Sequence, residues 1–344
     1  MADQVAAPGA RPRWRDAARY LVGLGIGILV LALLFGRRGE LASAWRELGR
    51  ARPGWVLAAL AAEGVSLILY ALLQRRVLRL AAAGLPMPVL LALTLANDAI
   101  ANTMPGEPAV SSAYRYRYYR RYGATGASAG WTIFTILIAQ AIGMSLVMLI
   151  GVLVALAASA SAQAAGAALV GLVIVVGAGA VLVRRDLVLT LASAAVRGAR
   201  RVTGHPRGSV GAGIESTLTQ MREIPLGPGA TVGVVALATG VWLADFGCLL
   251  CSFGAVRAPV PWAGVLLGYG VAQVVGSLPV VPGGIGIVDG SLAVILTAYG
   301  AGRVPALSVT LAYRIVSFWL PVAVGWCTVA VLAAVTRRRR GMGL

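Results

Sequence analysis

The chain contains no lysine and a single histidine, His205, among its 344 residues. That histidine stands beside Pro206 in a polar stretch, so a histidine-rich metal centre and a membrane-embedded histidine nucleophile are both excluded. Cysteine is almost as scarce, at three residues. Cys248 and Cys251 lie three apart in an apolar segment and Cys327 sits alone in the last one, which is half a metal motif without its second pair; they read as small buried side chains. There is no GxxxxGK sequence, and the glycines near 208–213 are too irregular for a phosphate loop, which argues against ATP-driven pumping by this chain alone. Charge is sparse as well. Charged residues make up 12% of the chain, hydrophobic ones 59%, and the mean hydropathy is +0.83. A soluble domain of this length carries more charged surface.

What remains is a series of apolar runs long enough for a bilayer. Full-span candidates are 18–36, 54–73, 127–156, 163–183, 229–253, 262–281 and 306–335, with shorter or more polar pieces at 87–104 and 285–299. Trp45, Trp55, Trp131 and Trp262 fall near span ends, where an amphipathic ring suits the interface. The first run follows RPRWRDAARY and lacks a small-residue cleavage pattern, so it reads as a retained anchor rather than a signal peptide. The expectation is one all-α polytopic integral membrane protein of about seven or eight spans. Its basic N-terminus covers 1–17, its transmembrane domain 18–335 and its basic tail 336–344.

The thirty basic residues are all arginine and sit mostly between the apolar runs, where they act as topology determinants and face anionic headgroups. The N-terminal arginines, the loop 184–228 and the run Arg337–Arg340 are placed on the cytoplasmic side, although the arginines of 37–52 then lie outside. With 184–228 inside, 108–125 must be inside too. The piece 87–104 then has to dip in and return, while 262–281 and 285–299 do the same from the opposite face. Two opposed re-entrant or broken elements of this kind are how inverted-repeat transporters build midplane sites.

Both elements carry helix breakers beside carboxylates. In LALTLANDAIANTMPGEPAV, residues 91–110, Asn97, Asp98, Asn102 and Glu107 interrupt an apolar helix, and Pro105-Gly106 ends it. In SLPVVPGGIGIVDG, residues 277–290, Pro282, Gly283, Gly284 and Gly286 precede Asp289. Either this is a surface turn with Asp289 as a helix cap, or it is a break at membrane depth, tolerated only beside protein or water. Arg314, inside SVTLAYRIVSFWLPVAVGW, is the natural partner for Asp289 or for a phosphate headgroup, with snorkelling as the bland alternative. Pro321 should bend the same helix. Asp245, Gln273 and Glu63 are further intramembrane polar positions. In SSAYRYRYYRRYG, residues 111–123, tyrosines alternate with arginines; between apolar segments this reads as an interfacial helix on anionic lipid rather than a nucleic-acid surface. Arg115 is placed nearest the cavity mouth.

NDAIANTMPGEP with YRYRYYRRYG, and LPVVPGGIGIVDGSLAVILTAYG with AYRIVSFWLPVAVG, resemble the lysylphosphatidylglycerol synthase transmembrane region, also called the flippase-like domain, over roughly 18–335. The resemblance implies a polytopic bacterial inner-membrane fold with re-entrant elements that moves amphipathic lipids between leaflets. Bifunctional members flip aminoacylated phosphatidylglycerol; stand-alone ones are associated with hopanoid-type or polyprenyl-linked lipids. It carries Glu107, Pro282, Gly283, Gly284, Asp289 and Arg314 over as functional positions, with Asp289 where the family commonly has glutamate. The ending RRRRGMGL leaves no aminoacyltransferase domain, so lysine transfer to lipid is not expected.

The function expected is translocation of an anionic or phosphate-containing lipid, without a cofactor, bound metal or nucleic acid. Membrane lipids are the main partners, with a second copy or a lipid-biosynthesis protein as further ones. A membrane enzyme acting on lipid-phosphate or isoprenoid substrates and a non-transport assembly partner stand as alternatives.

Overall fold

The computed structural model describes residues 38–104, 107–158, 227–277, 284 and 286–341. The expected spans 18–36 and 163–183, the loop through residue 226 and the breakers Pro105, Gly106, Pro282 and Gly283 lie outside the described residues. Described segments form helices α1 (Arg38–Leu48), α2 (Pro53–Leu80), α3 (Met87–Thr103), α4 (Glu107–Arg121), α5 (Gly126–Ala158), α6 (Pro228–Val256), α7 (Val265–Gly276), α8 (Ile287–Ala298) and α9 (Arg303–Arg314). A π turn at Ile315–Trp319 then leads into α10 (Leu320–Gly341). No strand occurs among the described residues.

Among the described residues four helical segments are long and apolar enough to cross a bilayer: Pro53–Leu80, Gly126–Ala158, Pro228–Val256 and Arg303–Ala334. Their outer faces carry bare hydrocarbon, with Leu137 and Val232 each more than two-thirds exposed (68% and 69%). In water such a surface would associate; against acyl chains it costs nothing. Trp45, Trp55 and Trp262 are also exposed, but Trp131 is buried between α2, α5 and α6 and is not an interfacial ring.

Contacts define the two ends of the bundle. At the first end the Arg52 amide donates to the Ala255 carbonyl (3.0 Å), and Ser308 Oγ donates to Glu47 Oε2 (2.6 Å). The start of α2 and the finish of α6 therefore meet there, and the finish of α1 is tied to the middle of α9. At the second end Ser128 Oγ donates to the Ala81 carbonyl (2.9 Å), joining the finish of α2 to the start of α5.

Two shorter helical pairs fill the bundle. Helices α7 and α8 have 12 residues each, about 18 Å at 1.5 Å per residue, well short of the ~30 Å hydrocarbon core. The run 262–281 is accordingly no single span. A side chain at Gly264 would strike the Tyr299 ring, one at Gly268 would strike Ile295, and one at Gly276 would strike Val288. These pairings make an antiparallel hairpin whose open end is at the first end, with small residues permitting the close approach. Helices α3 and α4 pair from the second end: Tyr119 packs with Leu90, Leu93 and Leu85. The Tyr119 hydroxyl donates to Gln74 Oε1 (2.7 Å), and Gln74 Nε2 donates to Thr94 Oγ1 (2.7 Å), so the fully buried Gln74 uses both ends of its amide. Asn97, Asp98 and Asn102 do not interrupt α3, which stays regular to Thr103. A single carboxamide or carboxylate lowers helix propensity only slightly, and the surrounding packing overrides it.

Helix α10 lies along α3, where Gly325 leaves no room for a side chain against the Leu95 carbonyl and Ala99. Helices α5 and α6 cross as closely: a Cβ at Gly143 would stand 2.8 Å from the Ala238 carbonyl carbon and the Thr239 nitrogen. Because backbone cannot yield as a side-chain tip does, Gly143→Val should destabilise the protein by about 1–3 kcal/mol. Thermal unfolding in detergent checks this, with Gly64→Ala, where the added Cβ meets nothing within 4 Å, as the comparison.

Candidate functional site

Asp289 occupies the first turn of α8 and does two things at once. Gly286, at φ 81°, turns the chain into the helix, and its amide donates to Asp289 Oδ2 (2.8 Å) in a capping arrangement. The left-handed backbone at Gly286 and at Gly284 (φ 59°) favours glycine at both positions. Asp289 Oδ1 meanwhile lies 2.9 Å from Arg314 Nε. That approach is an ion pair without hydrogen-bond direction at Nε. The guanidinium carbon also stands 3.9 Å above the Phe318 ring. Arg314 is 7% exposed, so its head does not snorkel to the interface. A cation at this depth is stable only with an opposite charge and polarisable neighbours, and the arrangement supplies both.

Arg314 is the last α-helical residue before the π turn. Pro321 lacks the amide that would bond the Ser317 carbonyl, and the wide turn stands over the residues immediately before it. Ser317 lies beside the Tyr313 hydroxyl across its start. Along the last span α8 meets Arg314 through Asp289, and α3 packs further on, where Gly325 faces the Leu95 carbonyl and Ala99.

A second polar centre adjoins the first through the neighbouring residues Tyr313 and Arg314. Asp245 Oδ2 on α6 accepts hydrogen bonds from the Tyr269 hydroxyl (2.5 Å), the Tyr313 hydroxyl (2.8 Å) and Gln273 Nε2 (3.0 Å). Its carboxyl is also hydrogen-bonded to Glu63 on α2. Both acids are 8% exposed, and Glu63 Oε2 has no partner. Two carboxyl groups share a hydrogen bond only when one of them holds a proton. Asp245 already receives three other donors, which suits an anion, so the arrangement fits protonated Glu63 donating to ionised Asp245. Removing the Tyr313 hydroxyl as Phe would take away one donor and leave a buried carboxylate under-satisfied. The expected cost is about 1–3 kcal/mol, read as a lower unfolding temperature than for Tyr116→Phe on the exposed face of α4.

The remaining sequence-derived positions distribute around these centres. Asp98 is close enough to Glu63 to act on it electrostatically, and Asn102 Nδ2 donates to the Asp98 carbonyl and to its Oδ1 (3.0 Å each). Asn97 is buried with Oδ1 unpartnered. Arg115 Nη1 donates to the Tyr70 hydroxyl (2.6 Å), tying α4 to α2. Glu107 is the first residue of α4.

Sequence reading brought Asp289 to Arg314 and found Asp245 and Gln273 singly. It did not join Glu63 to Asp245, and it missed Tyr269. The available signal was the period of α7, in which Tyr269 and Gln273 are four apart and share a face. Among the described residues no group of three or more metal-ligating side chains is gathered.

Against known families, the chain matches the model described as the lysylphosphatidylglycerol synthase TM region over residues 20–325. Among curated proteins none matches.

Proposed function

The chain belongs to the lysylphosphatidylglycerol synthase transmembrane-region family, and from that premise we propose that it translocates an anionic, phosphate-bearing lipid across a bacterial cytoplasmic membrane. The observation that carries this reading is the ion pair between the buried Arg314 of the last span and the half-buried Asp289 at the start of the short helix α8. A guanidinium binds phosphate and carboxylate oxygens with the same fork of donors. A headgroup phosphate arriving at Arg314 displaces Asp289, which keeps its bond to the Gly286 amide. When the lipid leaves, the carboxylate closes on the arginine again. The acyl chains stay in the bilayer while only the headgroup crosses.

The two hairpins act as re-entrant elements related as an inverted pair, each reaching from its own side toward the π turn. Arg75, Arg76, Arg79, Arg117, Arg120 and Arg121 at the second end support a cytoplasmic position for that end. The Glu63–Asp245 pair supplies coupling. Release of its one proton leaves two adjacent anions, whose repulsion separates α2 from α6 and alters the packing around Tyr313 and Arg314. Proton occupancy at Glu63 thereby biases headgroup access to Arg314.

Headgroup-labelled phosphatidylglycerol in proteoliposomes tests the reading. The label should change leaflet while the lipid stays chemically intact by chromatography. A converted lipid would replace this reading with an enzymatic one.

A further inference from the structure

A groove at the second end of the bundle lies outside both polar centres, about 18 Å along α2 from Glu63 at 1.5 Å per residue. Leu72, Arg75, Arg76, Arg79 and Leu80 of α2 and Leu237 of α6 line an open groove of about 440 Å³. The α2 residues fall at the three- and four-residue spacing of one helical face. Leu72 and Leu237 line the part deeper in the span, the arginines follow, and Leu80 stands at the end of α2, so a cationic band is bordered by apolar side chains.

Its positive charge is concentrated. Arg76 lies over α6 in the space that a side chain at Gly233 would fill, with Nη2 3.4 Å from the Gly229 carbonyl. The first turn of α6 has no acidic residue and no side-chain cap on its N-terminal amides, so a helix N-terminus adds to the field. Among the described residues none of the three arginines has an ion-pair partner. Three guanidiniums lining one groove attract an anion, and the leucines beside them favour an occupant that also carries hydrocarbon.

We propose that this groove is a binding site for one anionic phospholipid, with its phosphate among Arg75, Arg76 and Arg79 and its chains along Leu72 and Leu237. It anchors the α2–α6 pair in the leaflet and is separate from the translocation path, so it does not depend on the transport reading.

Native mass spectrometry of the full chain, released from nanodiscs of equal phosphatidylglycerol and phosphatidylcholine, tests it. The wild type should retain one phosphatidylglycerol in preference to phosphatidylcholine. Arg75→Gln with Arg79→Gln should weaken retention about 25-fold, at roughly fivefold for each basic side chain at an anionic surface. Gly233→Val should weaken it about fivefold by displacing Arg76 without changing any charge. Arg50→Gln with Arg52→Gln, at the opposite end, should leave it unchanged. Thermal unfolding confirms that each variant is folded, and Gly233→Val carries the test if the double variant is not. Equal retention of both lipids, wild-type retention in the variants, or displacement of the lipid by millimolar inorganic phosphate would each overturn the proposal. Intact retention in a protein that moves no lipid between leaflets would support this site and count against translocation alone.

Discussion

Replacing Arg314 by glutamine is expected to abolish phosphatidylglycerol exchange and to cost about 1–3 kcal/mol of stability, because the half-buried Asp289 loses its counter-charge. The informative variant is the double one. Arg314→Gln with Asp289→Asn leaves no uncompensated charge, and a buried ion pair replaced on both sides is often nearly neutral for stability. Stability should therefore return to within about 1 kcal/mol of wild type while exchange stays lost. A pair with a purely architectural role would recover both together. The side chain at position 289, carboxylate or carboxamide, offers the Gly286 amide an oxygen to donate to in every variant, so α8 keeps its cap throughout.

The second large effect is expected at Glu63. Glu63→Gln keeps a hydrogen-bond donor toward Asp245 but has no proton to release, so stability should change by less than about 1 kcal/mol. Exchange should persist and lose its response to an imposed pH gradient. Glu63→Ala differs, since it removes the donor altogether and leaves Asp245 with Tyr269, Tyr313 and Gln273 only. The described titratable groups that act on Glu63 or feel its charge are Asp245 and Cys248 of α6, Asp98 of α3 and Tyr313 of α9. Asp98→Asn is therefore the control for a neighbouring charge. Flux in proteoliposomes with the interior buffered above or below the exterior pH reads these outcomes; an unchanged gradient response in Glu63→Gln would remove this pair from the coupling.

The parts of this account that were legible in the sequence are those written within one or two adjacent segments. Apolar runs of span length mark α2, α5, α6 and the last span, and PGGIGIVDG marks a break followed by a helix start. There the two readings of Asp289, helix cap and partner of Arg314, are both satisfied, because the carboxylate has two oxygens and uses one for each. Length misled at 262–281, where hydropathy is continuous but the helix is confined to Val265–Gly276. The Glu63–Asp245 contact joins residues 182 positions apart on two long helices. No local pattern encodes which faces of two apolar helices meet. That choice is made by Gly143, Gly240 and other small residues, which decide how closely backbones approach. The same reasoning explains Trp131, placed near a span end by sequence yet buried by the α2–α6 packing.

The most direct test is the rate at which labelled phosphatidylglycerol becomes accessible to a membrane-impermeant quencher in vesicles carrying wild-type protein, with phosphatidylcholine and protein-free vesicles alongside. Translocation through the Arg314 site requires phosphatidylglycerol to exchange faster than in protein-free vesicles, and that acceleration to vanish in Arg314→Gln with Asp289→Asn. Exchange no faster than in protein-free vesicles, or equally fast in the folded double variant, would contradict it.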